Sequence, residues 1–317
     1  MNAHLWLDHG DVRIWHGDAV ECLRELPDGL AQTCVTSPPY WGLRDYGEDA
    51  QIGLESTPDE YVASLVAVFR EVWRVLRDDG TLWLNLGDSY NGSAPNRTGQ
   101  NGYNDGRANR SKRFSVGGVS GLKHKDLVGI PWRVAFALQS DGWYLRSDII
   151  WHKPNPMPES VTDRPTKSHE YVFLLSKSPR YYYDANAIKE KSMELGKTNI
   201  RFGDNKYGDS DDPKHATKSG NAYTDDGTRN ARSVWSISTK PYAEAHFATF
   251  PTEIPERCIK AGSRPGDTVL DPFMGSGTTA WVSRHLGRHA VGIELNEEYL
   301  EIAARRLGQQ SLLSGEV

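Results

Sequence analysis

The most informative part of the sequence is residues 269–279, VLDPFMGSGTT. An apolar run leads through small residues into segment 278–286, so it predicts a strand, a glycine-rich turn and a helix. Gly275 and Gly277 allow a ligand to approach backbone amides closely, and the N-terminus of the following helix favours an anionic group. No lysine follows the second glycine, which excludes the phosphate-binding loop of NTPases.

An acidic residue follows this turn at the end of the next predicted strand. Glu294 lies about 20 residues further on, where an open α/β sheet places a carboxylate that accepts hydrogen bonds from two ribose hydroxyls. A tight turn needed only for packing would explain the glycines equally well. The acidic residue favours a nucleoside-bearing cofactor.

The rest of the chain alternates strand and helix patterns. Strands are predicted at 12–15, 31–36, 81–86, 144–151, 171–175, 268–270 and 289–294. Helices are predicted at 19–26, from 58 to a stop at Asp79-Gly80, at 127–138, at 278–286 and in a closing segment through Leu307. This alternation is typical of an α/β fold with a mostly parallel sheet covered on both faces.

Composition excludes several classes of protein. With 317 residues, 38% hydrophobic residues and a formal net charge of -5, the chain is neither mostly disordered nor collagen-like, and any basic binding surface must be local. Three cysteines at unpaired spacing indicate no disulfide framework, no zinc knuckle and a reducing compartment. No apolar stretch reaches about 18 residues and the start does not resemble a signal peptide, so we expect a cytoplasmic protein without a membrane or metal site.

One polar segment, 91–126, carries a local positive charge. Seven basic residues oppose two acidic ones, a surplus of +5 (seven minus two). This pattern predicts a segment that contacts phosphates, with a solvated linker as the alternative. Residues 187–232 are similarly polar and predict a loop or inserted subdomain.

A second motif, Ser37-Pro38-Pro39-Tyr40, follows the predicted strand 31–36. Two prolines prevent further ladder bonding and hold the backbone so that the Ser37 hydroxyl and a nearby main-chain carbonyl face a common point. Tyr40 adds a flat face for a planar ring. Such a motif can hold an exocyclic amino group and stack its base, although a proline-rich turn with a packed aromatic would have the same sequence.

Together these motifs resemble the amino DNA methyltransferases. Residues 271–279 are similar to the S-adenosylmethionine-binding motif of that family, and residues 37–40 to its catalytic tetrapeptide. The catalytic motif precedes the cofactor motif here, an order that resembles the permuted β group. Further similarities lie at 17–18, 85–88, 151–155 and 246–251. The resemblance implies a Rossmann-like α/β core with circularly permuted motif order, a polar target-recognition insert, S-adenosylmethionine as cofactor and double-stranded DNA as partner.

The resemblance also implies a domain plan and a set of site residues. Residues 1–90 and 127–186 would form the catalytic half, 91–126 a basic DNA-contacting loop, 187–235 the target-recognition insert and 236–317 the cofactor half. The implied catalytic residues are Ser37, Pro38, Pro39 and Tyr40. The implied cofactor-binding residues are Asp18, Asp271, Phe273, Gly275, Gly277, Thr278, Thr279, Glu294, His246, Phe250 and Pro251. The implied DNA-binding residues are Trp41, Arg44, Tyr46, Arg110, Lys112, Arg113, His152, Lys153 and Asn155.

The first residue of the tetrapeptide bears on the target base. Family members that methylate adenine N6 usually carry Asp or Asn there, whereas Ser37 resembles the cytosine N4 enzymes. Methylation of cytosine C5 needs a cysteine nucleophile, and none of the three cysteines follows a proline. Adenine N6 methylation, a catalytically silent DNA-binding module, and transfer to RNA or a protein side chain remain as alternatives. A cognate restriction endonuclease, and the choice between monomer and homodimer, stay open.

The basic segment leads to the first testable prediction. Replacing Arg110, Lys112 and Arg113 with neutral residues should flatten the salt dependence of DNA binding, because each phosphate contact contributes about 0.9 to the logarithmic slope. Binding constants measured across a salt series give this slope. An unchanged slope would reject the phosphate contacts.

Overall fold

The computed structural model describes residues 3–42, 51–91, 121–191, 227–239 and 250–308. The chain divides into two compact units, one made of Met1–Asp184 with Arg232–Val317, and the other of Ala185–Ala231. No helix among the described residues is long and apolar enough to span a membrane.

The strands of the described residues are β1 His4–Asp8, β2 Val12–His16, β3 Ala31–Thr36, β4 Leu76–Leu86, β5 Tyr144–His152, β6 His169–Ser176, β7 Glu190–Lys191, β8 Thr228–Arg229, β9 Val234–Ser236, β10 Thr268–Asp271 and β11 His289–Glu294. The α-helices are α1 Ala19–Arg24, α2 Pro58–Val75, α3 Ile130–Ser140, α4 Glu253–Gly262, α5 Thr278–His285 and α6 Glu297–Gly308. In the smaller unit, β7 and β8 pair antiparallel.

The larger unit is built on one sheet of nine strands in the order β1-β2-β11-β10-β3-β4-β6-β5-β9. Five central strands, β2, β11, β10, β3 and β4, run parallel, while β6 is antiparallel to both of its neighbours. Helices α1 to α3 cover one face and α4 to α6 the other. The predicted α/β class with a mostly parallel, two-sided sheet is confirmed.

Helix α2 shows how local sequence sets an element. Thr57 and Glu60 form a reciprocal capping box, Pro58 occupies the first turn, and the apolar positions three and four residues apart are buried. The prediction was wrong about its end. Leu76 takes an extended conformation and pairs with Ala31, so β4 begins there and runs through the expected stop at Asp79-Gly80.

Other differences from the predictions have equally local causes. Helix α3 begins at Ile130 rather than at 127, because Gly129 adopts a left-handed φ of 78° and Pro131 lies in the first turn. The Asp88 carboxylate accepts hydrogen bonds from the amides of Gly129 and Ile130 and caps this helix. Strand β1, strand β9 and helix α4 were not predicted.

Helix α4 approaches the sheet closely at its last residue. Gly262 lies over a buried hydroxyl pair in which Thr33 Oγ1 and Thr81 Oγ1 are 2.9 Å apart. A Cβ at this position would lie 2.7 Å from Thr33 Oγ1 and 2.9 Å from Trp83 Nε1. The position therefore has no room for a side chain.

Replacing Gly262 with Ala should lower the free energy of unfolding by about 1–3 kcal/mol, because an added methyl group overpacks the interface between α4 and the sheet. Urea denaturation measures this change. Gly308→Ala is the matched control, since a Cβ at Gly308 meets nothing within 4 Å. Equal stability of the two variants would contradict the packing argument.

Candidate active site

The strand directions bring distant motifs to one edge of the sheet. The parallel strands β2, β11, β10, β3 and β4 all end at this edge, and β6 begins there because it runs antiparallel. This is the edge at which open α/β sheets bind their ligands. The residues gathered there are Asp18, Ser37, Asn85, Glu170, Asp271 and Glu294.

The glycine-rich turn lies between β10 and α5, and its two glycines serve different purposes. Both have left-handed backbone angles, with φ of 53° at Gly275 and 78° at Gly277. A Cβ on Gly277 would lie 3.1 Å from the Cβ of Ala303 in α6, so this glycine permits close helix packing. A Cβ on Gly275 would meet nothing within 4 Å. Gly275 is therefore the position where open space adjoins the turn, as a cofactor site requires.

Glu294 ties this turn to the end of β11. Its Oε2 accepts the Gly275 amide at 2.7 Å and its Oε1 accepts the Asn296 amide at 2.9 Å. Burial raises the pKa of Glu294 to about 7, although the backbone donors act in the opposite direction. The carboxylate thus stands beside the open space at Gly275.

Asp271 joins the cofactor motif to the catalytic motif. Its buried Oδ1 accepts the Thr36 hydroxyl at 2.6 Å and the Phe273 amide at 3.1 Å. Burial raises the pKa of Asp271 to about 6. Thr36 immediately precedes Ser37, so this hydrogen bond sets the two motifs side by side.

Two predicted cofactor contacts have another role in the structure. Thr279 is buried and its Oγ1 donates to the Val35 carbonyl at 3.3 Å. Thr278 is also buried, and its Oγ1 accepts from Arg306 at 3.0 Å. Both side chains brace α5 against its neighbours. Their contacts with the cofactor stay predictions.

The remaining predicted cofactor residues are placed as follows. Asp18 caps α1, where its Oδ1 accepts the amides of Val20 at 2.9 Å and Glu21 at 3.1 Å. Phe273 is partly buried and packs against the main core, and Phe250 and Pro251 directly precede α4. His246 lies outside the described residues. The cofactor roles of these residues stay predictions.

The catalytic motif leaves β3 at Ser37 and is held from several sides. The Tyr61 hydroxyl donates to the Pro39 carbonyl at 2.8 Å. A Cβ at Gly87 would overlap the ring of Tyr40, so this glycine lets the ring lie directly against β4. Burial, followed by the charge of Glu170, raises the pKa of Tyr40 well above its usual value, so the phenol stays protonated.

Asn85 connects the serine to the tyrosine. Its Nδ2 lies 3.2 Å from Ser37 Oγ and 2.8 Å from Tyr40 Oη, and its side chain is only 3% exposed. The Tyr40 hydroxyl in turn donates to Glu170 Oε2 at 2.7 Å. Lys153 Nζ pairs with Glu170 Oε1 and lies over the ring of Trp151 at 4.2 Å.

Sequence reasoning did not assign Asn85 or Glu170 to the site. Asn85 had a detectable signal, because a lone amide interrupts the apolar strand WLNL. Glu170 had no such signal, because nothing in the neighbouring sequence shows that β6 lies beside β4. Glu170 forms the ion pair with Lys153.

Four of the predicted DNA-binding residues lie among the described residues. Trp41 is 2% exposed, packs in the core and donates to the Glu55 carbonyl at 2.9 Å. The Lys153 ammonium pairs with Glu170. The Asn155 side chain bonds both backbone groups of Thr239, and His152 Nδ1 lies 3.0 Å from Ser236 Oγ. Their DNA contacts stay predictions. Arg44, Tyr46, Arg110, Lys112 and Arg113 lie outside the described residues.

Comparison with known proteins identifies the family. The family model described as DNA methylase, of the N6/N4 type, matches residues 31–305. The chain belongs to the N6/N4 DNA methylase family. It is 50% identical over 304 residues to the Type II methyltransferase M.Cfr9I of Citrobacter freundii, covering 95% of this chain and 89% of that relative. It is 50% identical over 291 residues to M.SmaI of Serratia marcescens, covering 92% and 89%.

Solved structures agree with this assignment. The PvuII DNA methyltransferase, described as cytosine-N4-specific, aligns with a TM-score of 0.62 at 19% identity, over 94% of this chain and 86% of that one. A DNA modification methylase of Thermus thermophilus in complex with S-adenosyl-L-methionine aligns with a TM-score of 0.56 at 24% identity, over 93% and 94%. The predicted class, an S-adenosylmethionine-dependent DNA amino-methyltransferase of the methyltransferase fold, is confirmed.

The raised pKa of Glu294 predicts how stability depends on pH. Because its pKa rises from 4.5 to about 7 on folding, the folded protein holds this proton more firmly than the unfolded chain. Its contribution to the free energy of unfolding therefore falls as pH rises from about 4.5 to about 7 and is constant above. Glu294→Gln removes this dependence.

Urea denaturation of the cofactor-free protein at pH 5, 6, 7 and 8 tests the point. Because the neutral amide of Gln stands in for the protonated carboxyl and does not titrate, we expect the stability of the wild type relative to Glu294→Gln to fall as the pH rises from 5 to 8. The charge of Asp271 contributes to the raised pKa of Glu294, so the difference between the two proteins includes the coupling of this pair. A difference that stays constant with pH would contradict the assignment.

Proposed function

We propose that this methyltransferase acts on the N4 amino group of cytosine in duplex DNA. The observation that carries the proposal is Ser37 at the first position of the tetrapeptide, held at the carboxyl edge of the sheet by Asn85 at 3.2 Å. The likeness to a cytosine-N4-specific enzyme supports it at the level of the fold.

The exocyclic amino group of a base is a weak nucleophile, so the site must activate it for methyl transfer. The lone pair of such a nitrogen is delocalised into the ring, and hydrogen-bond acceptors at Ser37 Oγ and the Pro38 carbonyl favour its localisation on nitrogen. In direct in-line attack, the nitrogen–carbon bond would form as the sulfur–methyl bond breaks, and the amino nitrogen would then lose one proton to solvent. This route needs no covalent enzyme intermediate, and positioning carries much of the rate enhancement. The target base leaves the duplex to reach this edge, and Tyr40 is the proposed stacking partner.

The cofactor-binding roles belong to the same proposal. S-adenosylmethionine supplies an activated methyl group on its sulfonium centre. Glu294 accepts hydrogen bonds from the ribose hydroxyls, and Asp18 lies beside the adenosine. Phe273, Gly275 and Gly277 line the methionine part, with Phe250 packed against the cofactor. The open space at Gly275 supports this arrangement.

The proposal includes a partner. M.Cfr9I and M.SmaI are both named Type II methyltransferases. We therefore propose that a companion restriction endonuclease recognises the same DNA sequence as this chain. Mapping the methylated position on plasmid DNA defines the site that such a partner must recognise.

One experiment tests both the base and the role of Ser37. The protein is incubated with labelled S-adenosylmethionine and mixed-sequence duplex DNA, and the nucleosides are identified by mass spectrometry after digestion. We expect N4-methylcytosine. N6-methyladenine would agree with the proposed mechanism but contradict cytosine as the target base. Label in RNA or protein, with none in DNA, would reject the substrate class.

Ser37→Ala should slow methyl transfer by about 100-fold, by analogy with the loss of one preorganised hydrogen-bonding group, while cofactor affinity stays unchanged. Ser64→Ala is the matched control, because Ser64 is partly exposed on α2 and its hydroxyl donates to the Glu60 carbonyl of the same helix. Full activity of Ser37→Ala would contradict the catalytic role proposed for residues 37–40.

A further inference from the structure

Glu170 lies 130 residues from the catalytic motif in sequence but contacts two members of the site. Its Oε2 accepts from Tyr40 Oη at 2.7 Å and from Asn85 Nδ2 at 3.1 Å, while its Oε1 pairs with Lys153. The network therefore links the end of β3, β4, the start of β6 and the residue after β5. No feature of the tetrapeptide itself requires this carboxylate.

The network is largely withdrawn from water. The side chains of Glu170 and Lys153 are 15% and 18% exposed. Burial of two charged groups is costly, and the attraction between them offsets that cost only when further hydrogen bonds satisfy the remaining polar atoms. Tyr40 and Asn85 supply those hydrogen bonds to Oε2. A shielded ion pair bonded to two site residues restrains both of them.

The carboxylate also decides how the Asn85 amide is oriented. An ionised carboxylate only accepts hydrogen bonds, so the NH2 end of Asn85 must face Glu170. That end then also donates to Ser37 Oγ, and the buried Oδ1 has no partner among the described residues. An unsatisfied buried oxygen is unfavourable, so the amide alone would not select this orientation. The charge of Glu170 imposes it.

The tyrosine is restrained in the same way. Its hydroxyl both donates to Glu170 and accepts from Asn85, so the end of the ring is held at two points. Gly87 bounds the ring from the side of β4. A ring held in this manner is preorganised before any base arrives, which lowers the cost of ordering it on binding.

We propose that Glu170, with Lys153, is a positioning residue for methyl transfer that holds the Tyr40 ring and sets the direction of the Asn85 amide towards Ser37. This inference rests on the proposed roles of Ser37 and Tyr40. Glu170 acts through those side chains and not on the base itself. A purely structural ion pair would instead affect stability and leave the rate of methyl transfer unchanged.

Glu170→Gln tests the proposal, because it keeps the shape of the side chain and removes the charge. We expect the single-turnover rate of methyl transfer to fall about 10- to 100-fold, since small misplacements of reacting groups cost rates of this order. The Kd for S-adenosylmethionine should stay within twofold of the wild type. Asp141→Asn is the matched control, because Asp141 is a 17% exposed carboxylate paired with Arg70 away from the site.

A double-mutant cycle separates positioning from general destabilisation. Tyr40→Phe should slow methyl transfer alone, but should add less than about threefold in the Glu170→Gln background, because both changes remove the same restraint. The proposal would be overturned if the rate losses of the two single variants multiplied in the double variant. A Glu170→Gln rate within twofold of the wild type would also overturn it. Thermal unfolding of all variants, including Asp141→Asn, shows whether a slower rate of methyl transfer accompanies a lower stability.

The outcome for Ser37 separates this inference from the proposed function. If Ser37→Ala and Tyr40→Ala leave methyl transfer unchanged, the proposed function of the motif fails. If both abolish transfer while Glu170→Gln does not, only the positioning role fails. Should Glu170→Gln not fold, Lys153→Met gives a second test, because it leaves the carboxylate without its counter-charge and should slow transfer in the same cycle.

Discussion

The hydrogen bond from the Thr36 hydroxyl to the buried Asp271 carboxylate is the contact on which the site depends. It joins residues 235 positions apart in the chain, at the border between adjacent strands β3 and β10. One strand continues into Ser37 and the other into the glycine-rich turn. In-line transfer requires the two reacting atoms to be held about 3–3.5 Å apart and aligned. This short buried hydrogen bond, together with the one from Thr279 to the Val35 carbonyl, fixes the catalytic motif and the glycine-rich turn relative to each other.

The distribution of charge follows from this arrangement. The helix-covered faces of the sheet are filled by aliphatic and aromatic side chains, whereas Asp271, Glu294 and the Glu170–Lys153 pair lie at the carboxyl edge. Asp271 and Glu294 have raised pKa values there because burial disfavours their ionised forms. Backbone amides compensate Glu294, and Lys153 compensates Glu170. The buried carboxyl groups at the carboxyl edge thus lower the free energy of unfolding. The apolar packing on the two faces of the sheet offsets this loss.

Sequence predicted the elements whose signals are local, and missed those that depend on distant pairing. The capping residues and spacing of α2, and the glycine-rich turn, were recognisable because each is set by a few neighbouring residues. The end of α2 was not, since Leu76 fits a helical stripe and a buried strand equally well. The insertion of β6 between β4 and β5 is a non-local choice, so nothing near Glu170 revealed that its carboxylate reaches Tyr40. The burial of Trp41 was hidden for the same reason, because an indole beside a loop suits a core or a DNA surface.

The environment of Ser37 limits what its hydroxyl can select. Because the charge of Glu170 turns the Asn85 NH2 group towards it, Ser37 Oγ accepts a hydrogen bond from Asn85 and also interacts with the Tyr40 hydroxyl. A hydroxyl in this setting can offer a substrate one donor and one acceptor only by sharing them with these neighbours. Cytosine and adenine each present an amino group beside a ring nitrogen acceptor, so the preference for cytosine that Ser37 indicates also requires a constraint on the size of the base. Discrimination between a pyrimidine and a purine must then depend on the room beside the motif. The side wall of that space is the Tyr40 ring, whose place is set by Gly87, Asn85 and Glu170 rather than by the tetrapeptide alone.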